Sequence, residues 1–156
     1  MLAGYGLAIE LPGGWSGRVF SRAGGVATLH AASFALTLDD GEFGERSTAS
    51  MRPGAVFLAL TEYVPGSGLR AGSGLFAPRR IPRPLDPARF ASSRLAHPRP
   101  GHAGMQHFFT SSGRPFCLYV VIARERSGRR GQLAVVDHAL GSLRIKPRHP
   151  RGAPEV

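Results

Sequence analysis

The sequence predicts an α+β fold in which an antiparallel β-sheet of about five or six strands carries a C-terminal amphipathic helix on one face. The segment PFCLYVVIA, residues 115–123, is apolar on both of its alternating faces, which is typical of a strand covered on both sides. From residue 127 the apolar period becomes that of a helix, with steps of three or four residues between Leu133, Val136, Leu140 and Leu143. We therefore expect residues 115–123 to form the central strand of the sheet.

Length and composition predict one domain with long connections. A chain of 156 residues is one domain by the usual size of domains. Its 21 glycines and 13 prolines exceed the average shares of about 7 % and 5 %. Pro147 and Pro150 end any regular structure after the helix. We expect a single α+β domain over residues 1–146 and a disordered tail over residues 147–156.

Other segments have the apolar patterns of strands. Residues 5–11 alternate, and the turn residues Pro12 and Gly14 end that strand. Residues 26–38 and 55–63 are two further apolar runs, the first long enough to be bent or split near Ser33. Residues 104–110 and 115–123 read as a β-hairpin around Ser111-Ser112-Gly113-Arg114. Residues 66–100 are rich in glycine and proline and predict a long connection.

Two terminal motifs carry a resemblance to a known family. An opening strand runs into Leu11-Pro12-x-Gly14-Trp15, and the last helix ends in LGSLRI, residues 140–145. This arrangement resembles the Mog1/PsbP-like superfamily. Residues 11–18 and 108–121 also resemble a group of actinobacterial proteins that share an LPxGW-x-GR opening and an FCLYVV hairpin. The resemblance implies an antiparallel sheet flanked by helices and a non-enzymatic binding or assembly module.

The charge balance predicts an anionic partner as one possible function. Twenty basic residues face ten acidic ones, for a net charge of +10, and every basic residue except Lys146 is arginine. Arginine pairs bidentately with phosphate, so the chain is a candidate nucleic-acid or anion binder. The alternative is the arginine bias of a GC-rich genome, favoured by the scatter of the arginines and the lack of interleaved aromatic residues. The candidate anion-binding residues are Arg79, Arg80, Arg83, Arg124, Arg126, Arg129 and Arg130.

The long connection predicts a second kind of surface. Within residues 66–100, apolar side chains stand in a poorly patterned stretch that would need a partner or the domain's own surface to cover them. We expect these side chains to be exposed and to bind a protein partner or a second copy of the chain. The candidate interaction segment consists of Leu69, Leu75, Phe76 and Ile81. A third hypothesis is a small-ligand pocket between sheet and helix, lined by Trp15, Phe108 and Tyr119.

The reactive side chains do not form a recognisable catalytic set. Cys117 lies in the most apolar strand, where burial favours an inert thiol, although His107 on the partner strand is a conceivable base. No orienting acid accompanies them. We expect Glu62 to pair with a buried arginine, and we expect the acidic loop of Asp39, Asp40, Glu42 and Glu45 to be solvated. The sequence therefore predicts no enzyme activity.

Metal ligands and membrane segments are also missing from the patterns. His97, His102 and His107 are five residues apart, which fits no single helix or strand face, and no metal-ligand motif is present. We expect no cofactor. The apolar run at the N-terminus is broken by Gly6 and Glu10 and has no basic region before it, so we expect no membrane anchor. A single cysteine excludes an internal disulfide and favours a cytoplasmic location.

Overall fold

The computed structural model describes residues 1–66, 68–124 and 128–148, and in that part of the chain the strands form two antiparallel sheets. The elements in chain order are β1 (Leu2–Gly4), β2 (Leu7–Ile9), β3 (Ser16–Ser21), β4 (Ala27–Ala32), α1 (Glu45–Ala49), β5 (Val56–Glu62), β6 (His102–Ser111), β7 (Arg114–Ala123), α2 (Arg129–Gly141) and β8 (Arg144–Ile145). The larger sheet has the order β3-β4-β5-β7-β6, and the smaller one has the order β1-β2-β8. The α+β class with antiparallel strands and a C-terminal helix is confirmed, with two sheets in place of the single sheet expected.

All ten residues of β7 are buried, so this strand is covered on both faces as its composition predicted. It is not the central strand, because β5 holds that place and β7 lies between β5 and the edge strand β6. The predicted hairpin of β6 and β7 is confirmed. Ser112 and Gly113 form its turn with φ of 52° and 71°, the positive values that a two-residue type I′ turn requires.

One face of the larger sheet, called the helix face below, packs against α2. The Gln132 side chain ties the first turn of the helix to the sheet, because its Nε2 donates to Ala123 O at 2.9 Å. The predicted amphipathic helix is confirmed as far as Gly141, and Arg144–Ile145 then pair with β2 as the short strand β8. The apolar stripe of α2 is buried in one cluster with the helix face through Leu133, Val136, Ala139 and Leu140.

Residues 33–51 cover the opposite face of the larger sheet. The strand predicted over residues 26–38 is wrong beyond Ala32, because the chain turns away at Ser33, whose Oγ accepts the N–H of Val56 at 2.9 Å. The side chains that follow are needed to cover the second face of β5 and β7. The half-buried residues that pack there are Phe34, Leu36, Phe43 and Met51.

The acidic loop is part of this cover and is not wholly solvated as predicted. Asp40 is buried, and its carboxylate accepts the N–H groups of Gly41, Arg46 and Ser47 at 2.7 to 2.9 Å, which fixes the start of α1. Burial opposes ionisation of Asp40, but these hydrogen bonds leave its pKa below the usual value. Glu42 forms an ion pair with Arg22. Asp40 and Glu42 thus serve as acceptors within the fold, whereas Asp39 and Glu45 are exposed as expected.

Residues 74–97, which we call the wrapping segment, supply side chains to both faces of the larger sheet. Phe76 and Leu95 are buried on the opposite face, whereas Leu85 and Phe90 lie in the cluster of the helix face. The segment therefore passes from one face to the other and back. Its regular structure is limited to three 3₁₀ turns, Gly74–Phe76, Pro87–Arg89 and Ser92–Arg94.

The wrapping segment also closes the edge strand β6. Thr110 donates its N–H to Pro78 O at 2.8 Å, and Ala91 exchanges two backbone hydrogen bonds with Gly104 at 3.0 and 3.1 Å. An unpaired edge strand is a template for aggregation, and covering it with chain removes that hazard. This cover explains how β7 is fully buried although it lies only one strand from the edge.

The smaller sheet replaces the single strand predicted over residues 5–11. Leu7 and Ile9 are buried as expected, but Tyr5 is 58 % exposed and forms a tight turn with Gly6. Their φ values of 50° and 78° lie in the left-handed region, which glycine adopts without strain. The chain therefore folds back, and Leu2 to Ile9 form a hairpin to which β8 adds on the other side.

A buried carboxylate joins the two sheets at the end of β5. Glu62 has no exposed surface, and its carboxylate accepts the backbone N–H of Ala27 and pairs with Arg114 and Arg148. Arg114 also donates to Tyr5 O at 3.0 Å and to Lys146 O at 2.9 Å.

The expected pairing of Glu62 with a buried arginine is thus seen. Arg148 is also placed by this contact, although Pro147 and Arg148 were assigned to a disordered tail; residues 149–156 lie outside the described residues. The extent of the single domain, residues 1–146, stays a prediction.

Replacing Glu62 should show how much the fold depends on this carboxylate. We expect Glu62→Gln to lower the free energy of unfolding by about 3 kcal/mol, because the Arg114 guanidinium would stay buried without its counter-charge. The double variant Glu62→Leu with Arg114→Met should recover most of that loss. Urea unfolding followed by tryptophan fluorescence measures both, and a double variant less stable than Glu62→Gln would contradict this account.

Candidate anion-binding groove

Three of the seven candidate arginines line one groove at the end of α2. The groove has a volume of about 200 Å³ and lies between the wrapping segment, the β6–β7 hairpin and the junction of α2 with β8. We call it the arginine groove. No acidic residue lines it, and none of its arginines pairs with a carboxylate within the described residues. Its lining residues are Arg79, Arg80, Ile81, Arg83, Phe109, Ser111, Leu140, Leu143 and Ile145.

Backbone contacts hold two of these three arginines in place, Arg80 and Arg83. Arg83 donates from Nη2 to the carbonyl oxygen of Asp137 at 2.7 Å, where the carbonyl groups of a helix end favour a cation. The carbonyl oxygen of Arg80 lies 2.9 Å from His107 Nε2. Burial lowers the pKa of His107, so its neutral ring donates this hydrogen bond at neutral pH. The side chains of Arg79 and Arg80 remain exposed.

The other candidate arginines do not join this groove. Arg129 is used inside the fold, because its Nη1 donates to Pro87 O at 3.0 Å and to Phe90 O at 2.8 Å. Arg124 and Arg130 are exposed on either side of the start of α2, and Arg126 lies outside the described residues. The single arginine surface suggested by the sequence is therefore divided between the two ends of one helix.

A second basic depression, of about 640 Å³, lies beside the buried Glu62. Its lining includes Arg114, Lys146 and Arg148. Two of these cations are already paired with the Glu62 carboxylate, and Arg114 spends its remaining donors on backbone carbonyls. One carboxylate thus offsets part of the positive charge of this depression, whereas no acidic residue lines the arginine groove.

The candidate interaction segment is only partly exposed. Leu75 is 57 % exposed, but Phe76 is buried against Tyr63 and Phe108, and Ile81 packs against the main core. Leu69 is half-buried. The expectation that all four side chains are exposed is wrong for Phe76, which the wrapping segment buries on the sheet, and Ile81 like Leu69 is half-buried.

The aromatic residues proposed for a small-ligand pocket lie on different faces. Trp15 packs against the cluster of the helix face, whereas Tyr119 belongs to the cluster of the opposite face. Phe108 lies on the opposite face too, against Phe76. The structure therefore does not bring these three rings together between sheet and helix.

Cys117 and His107 do not form a nucleophile–base pair. In the β6–β7 ladder Cys117 is opposite Phe108 and His107 is opposite Leu118, so the two side chains point to opposite faces of the sheet. Cys117 has no exposed surface, and burial raises the pKa of its thiol to about 12. Cys117 therefore behaves as a small apolar residue of the core.

The described residues contain neither a cluster of metal ligands nor a helix able to span a membrane. Within residues 1–66, 68–124 and 128–148, no three side chains of histidine, cysteine, aspartate or glutamate converge as metal ligands would. Over those ranges, no helix has both the length and the apolar character needed to cross a bilayer.

Sequence reasoning missed the apolar part of the groove and the buried His30. Leu143 and Ile145 were assigned to the helix, but they follow its end at Gly141 and line the groove, Ile145 as part of β8. His30 is fully buried between the rings of Phe20 and Phe57, and its Nε2 lies 3.0 Å from Glu42 O. The sequence pattern of β4 gave no sign of this, because the residues that alternate with Leu29 along the strand are small or polar.

Comparisons with protein-family models, with curated proteins and with solved structures each found no match to this chain.

The Cys117 thiol should resist modification while the protein is folded. A thiol with a pKa near 12 and no exposed surface supplies almost no thiolate at pH 8. We expect a disulfide reagent such as Ellman's reagent to react with the native protein at least about a hundred times more slowly than with the protein unfolded in urea. Rapid reaction of the native protein would contradict the burial of this residue.

Stability should fall as the pH is lowered from 7 to 5. Burial lowers the pKa of His30, His102 and His107, so below about pH 6.5 the unfolded chain binds more protons than the folded one. Their stabilising effect is therefore present above that pH and is lost as the pH falls toward the lowered pKa values. His30→Leu should make urea unfolding less sensitive to pH in this range than His138→Leu, which changes an exposed position.

Proposed function

We propose that this protein is a non-enzymatic binding module and that the arginine groove receives an acidic, partly apolar segment of a partner protein. One observation supports this above the others. Arg79, Arg80 and Arg83 line a groove that also has apolar lining residues and contains no acidic residue. Such a groove lacks a counter-charge, and a carboxylate-bearing partner would supply it.

The chemistry of the groove matches that kind of ligand. Guanidinium groups bind carboxylates with two parallel hydrogen bonds, which gives orientation as well as affinity. The apolar part, formed by Ile81, Leu140 and Leu143, would accept an aliphatic side chain next to the acidic one. A volume of about 200 Å³ is smaller than the 300 Å³ or so at which typical small-molecule pockets begin, so a side chain fits better than a drug-sized ligand.

The non-enzymatic part of the proposal is supported by the placement of the reactive groups. The Cys117 thiol is inside the core, on the other face of the sheet from His107. The buried carboxylates of Glu62 and Asp40 are both occupied by donors within the fold. A general acid–base mechanism needs such groups free and near a common pocket.

Nucleic acid is the second candidate ligand. Exposed Arg124 and Arg130 lie at the other end of α2 from the groove, and with a net charge of +10 the whole surface attracts phosphate. Binding of this kind needs no apolar pocket and would use both groups of arginines equally.

The Mog1/PsbP-like resemblance belongs to the same proposal. The supporting features are the five-stranded antiparallel sheet, the helix packed on one face, and the turn at Pro12, where Trp15 N–H donates to Pro12 O at 3.2 Å. We also keep the cytoplasmic location as a proposal, which the single unpaired Cys117 supports.

Fluorescence anisotropy with a labelled peptide of alternating Glu and Leu residues tests the groove. We expect binding at low salt and about tenfold weaker binding for the double variant Arg79→Ser with Arg80→Ser, because two exposed guanidinium groups are removed. Arg83 is left in place because it contacts α2. Affinity should fall further as salt is raised.

The matched control removes the same charge elsewhere. Arg124→Ser with Arg130→Ser loses two exposed arginines at the far end of α2 and should bind the peptide as the unmodified protein does. Equal weakening by both double variants would contradict a specific groove. A single-stranded oligonucleotide that binds where the peptide does not would favour the second candidate and overturn the first.

A further inference from the structure

The two edge strands of the larger sheet differ in whether their outer backbone groups are hydrogen-bonded. Edge strand β6 is hydrogen-bonded to the wrapping segment, whereas β3 at the other edge has no strand beyond it. β3 contains no proline or lysine, and its one charged residue is Arg18. Proline and lysine are residues with which proteins often protect an exposed edge, and β3 has neither, so we take β3 as an edge open to pairing.

The outward-facing groups of β3 can be assigned from the ladder. Ser33 donates its backbone N–H to Val56 O in β5. The backbone N–H and C=O groups of odd-numbered residues in β4 therefore point toward β5, and those of even-numbered residues point toward β3. Arg22 donates to Val26 O in agreement with this pattern. In β3, therefore, the backbone groups of residues 16, 18 and 20 form hydrogen bonds with β4, and those of residues 17, 19 and 21 point outward, away from the sheet.

The outward groups have no partner in the described part of the chain. No backbone or side-chain hydrogen bond among those residues reaches the N–H or C=O of Gly17, Val19 or Ser21. Gly17 and Ser21 are exposed, and Val19 is half-buried against Gly4 of the smaller sheet. Three successive outward positions thus have unpaired backbone groups, and two of them belong to exposed residues.

We propose that β3 is a homodimerisation site, at which a second copy of this chain adds its own β3 in antiparallel orientation about a two-fold axis at Val19. In this register Val19 faces Val19 of the second copy, and Gly17 faces Ser21. All three pairs join outward-facing residues. Each exchanges two hydrogen bonds, so the edge gains about six, and the two sheets become one continuous sheet.

The side chains favour this register over its neighbours. With the axis at Val19, Arg18 lies opposite Phe20 of the second copy. Arg18 already stands over the Phe20 ring of its own chain, 4.4 Å from the centroid, so a second ring adds a contact of the same cation–π kind. An axis at Arg18 would place two arginines directly opposite each other and retain only about four hydrogen bonds. An axis at Phe20 would also retain only about four.

The net charge makes this association distinguishable from binding at the arginine groove. Two chains of +10 repel each other at low salt, so screening should strengthen the dimer, whereas it weakens an acidic ligand at the groove. A short edge-to-edge contact buries less surface than a standard interface, so we expect a weak and concentration-dependent dimer. The dimer does not depend on the proposed groove function.

Sedimentation velocity on the full chain, over a range of concentrations and at low and high salt, tests the proposal. We expect a monomer–dimer equilibrium that shifts toward dimer with concentration and with salt. Ser21→Pro removes an outward N–H without breaking a bond to β4, and should weaken the dimer at least about tenfold. Ser21→Ala keeps the N–H and should dimerise as the unmodified chain does.

Amide hydrogen exchange gives a second measurement that needs no variant. The amides of Gly17, Val19 and Ser21 should exchange more slowly as the concentration of the unmodified protein is raised. A chain that stays monomeric at about 1 mM in high salt would overturn the proposal. So would a dimer in which these three amides are not protected, or one that Ser21→Pro leaves intact.

Discussion

The architecture depends on the need to shield both faces of β7 from solvent. An apolar strand without a wet face needs two layers of cover, and one C-terminal helix supplies only the first. Residues 33–51 and the wrapping segment supply the second. The same segment closes the nearby edge through Thr110 and Gly104. The irregular connections, which together form a large share of the chain, thus act as part of the core.

Charge is organised by the same division between interior and surface. The chain has few carboxylates, and two of them, Glu62 and Asp40, are used inside the fold to satisfy guanidinium and backbone N–H groups. Glu62 in particular pairs with Arg114 of the larger sheet and with Arg148 of the C-terminal segment at one point. This use of acids in the interior leaves the surface with uncompensated arginines. The groove beside α2 is where that excess meets partly buried apolar side chains.

Binding is the class of function to which these features lead us. The reactive groups are separated or occupied, while the accessible features are a small basic groove and an open strand edge. The two proposed surfaces should respond to salt in opposite ways. Guanidinium pairing at the groove is weakened by salt, and backbone pairing at β3 between like-charged chains is strengthened by it. A binding module with two such surfaces could pair with itself and still hold an acidic partner.

Local sequence determined the elements whose signals lie within a few residues. The doubly apolar run of β7, the Ser112–Gly113 turn and the helical period of α2 each specify their structure without distant help. Tertiary structure alone decided what the irregular segments do. Whether Phe76 is exposed, whether Asp40 is solvated and which arginines share a groove depend on contacts between residues far apart in the chain. No local periodicity records such contacts, because each segment folds to fit a surface that other segments create.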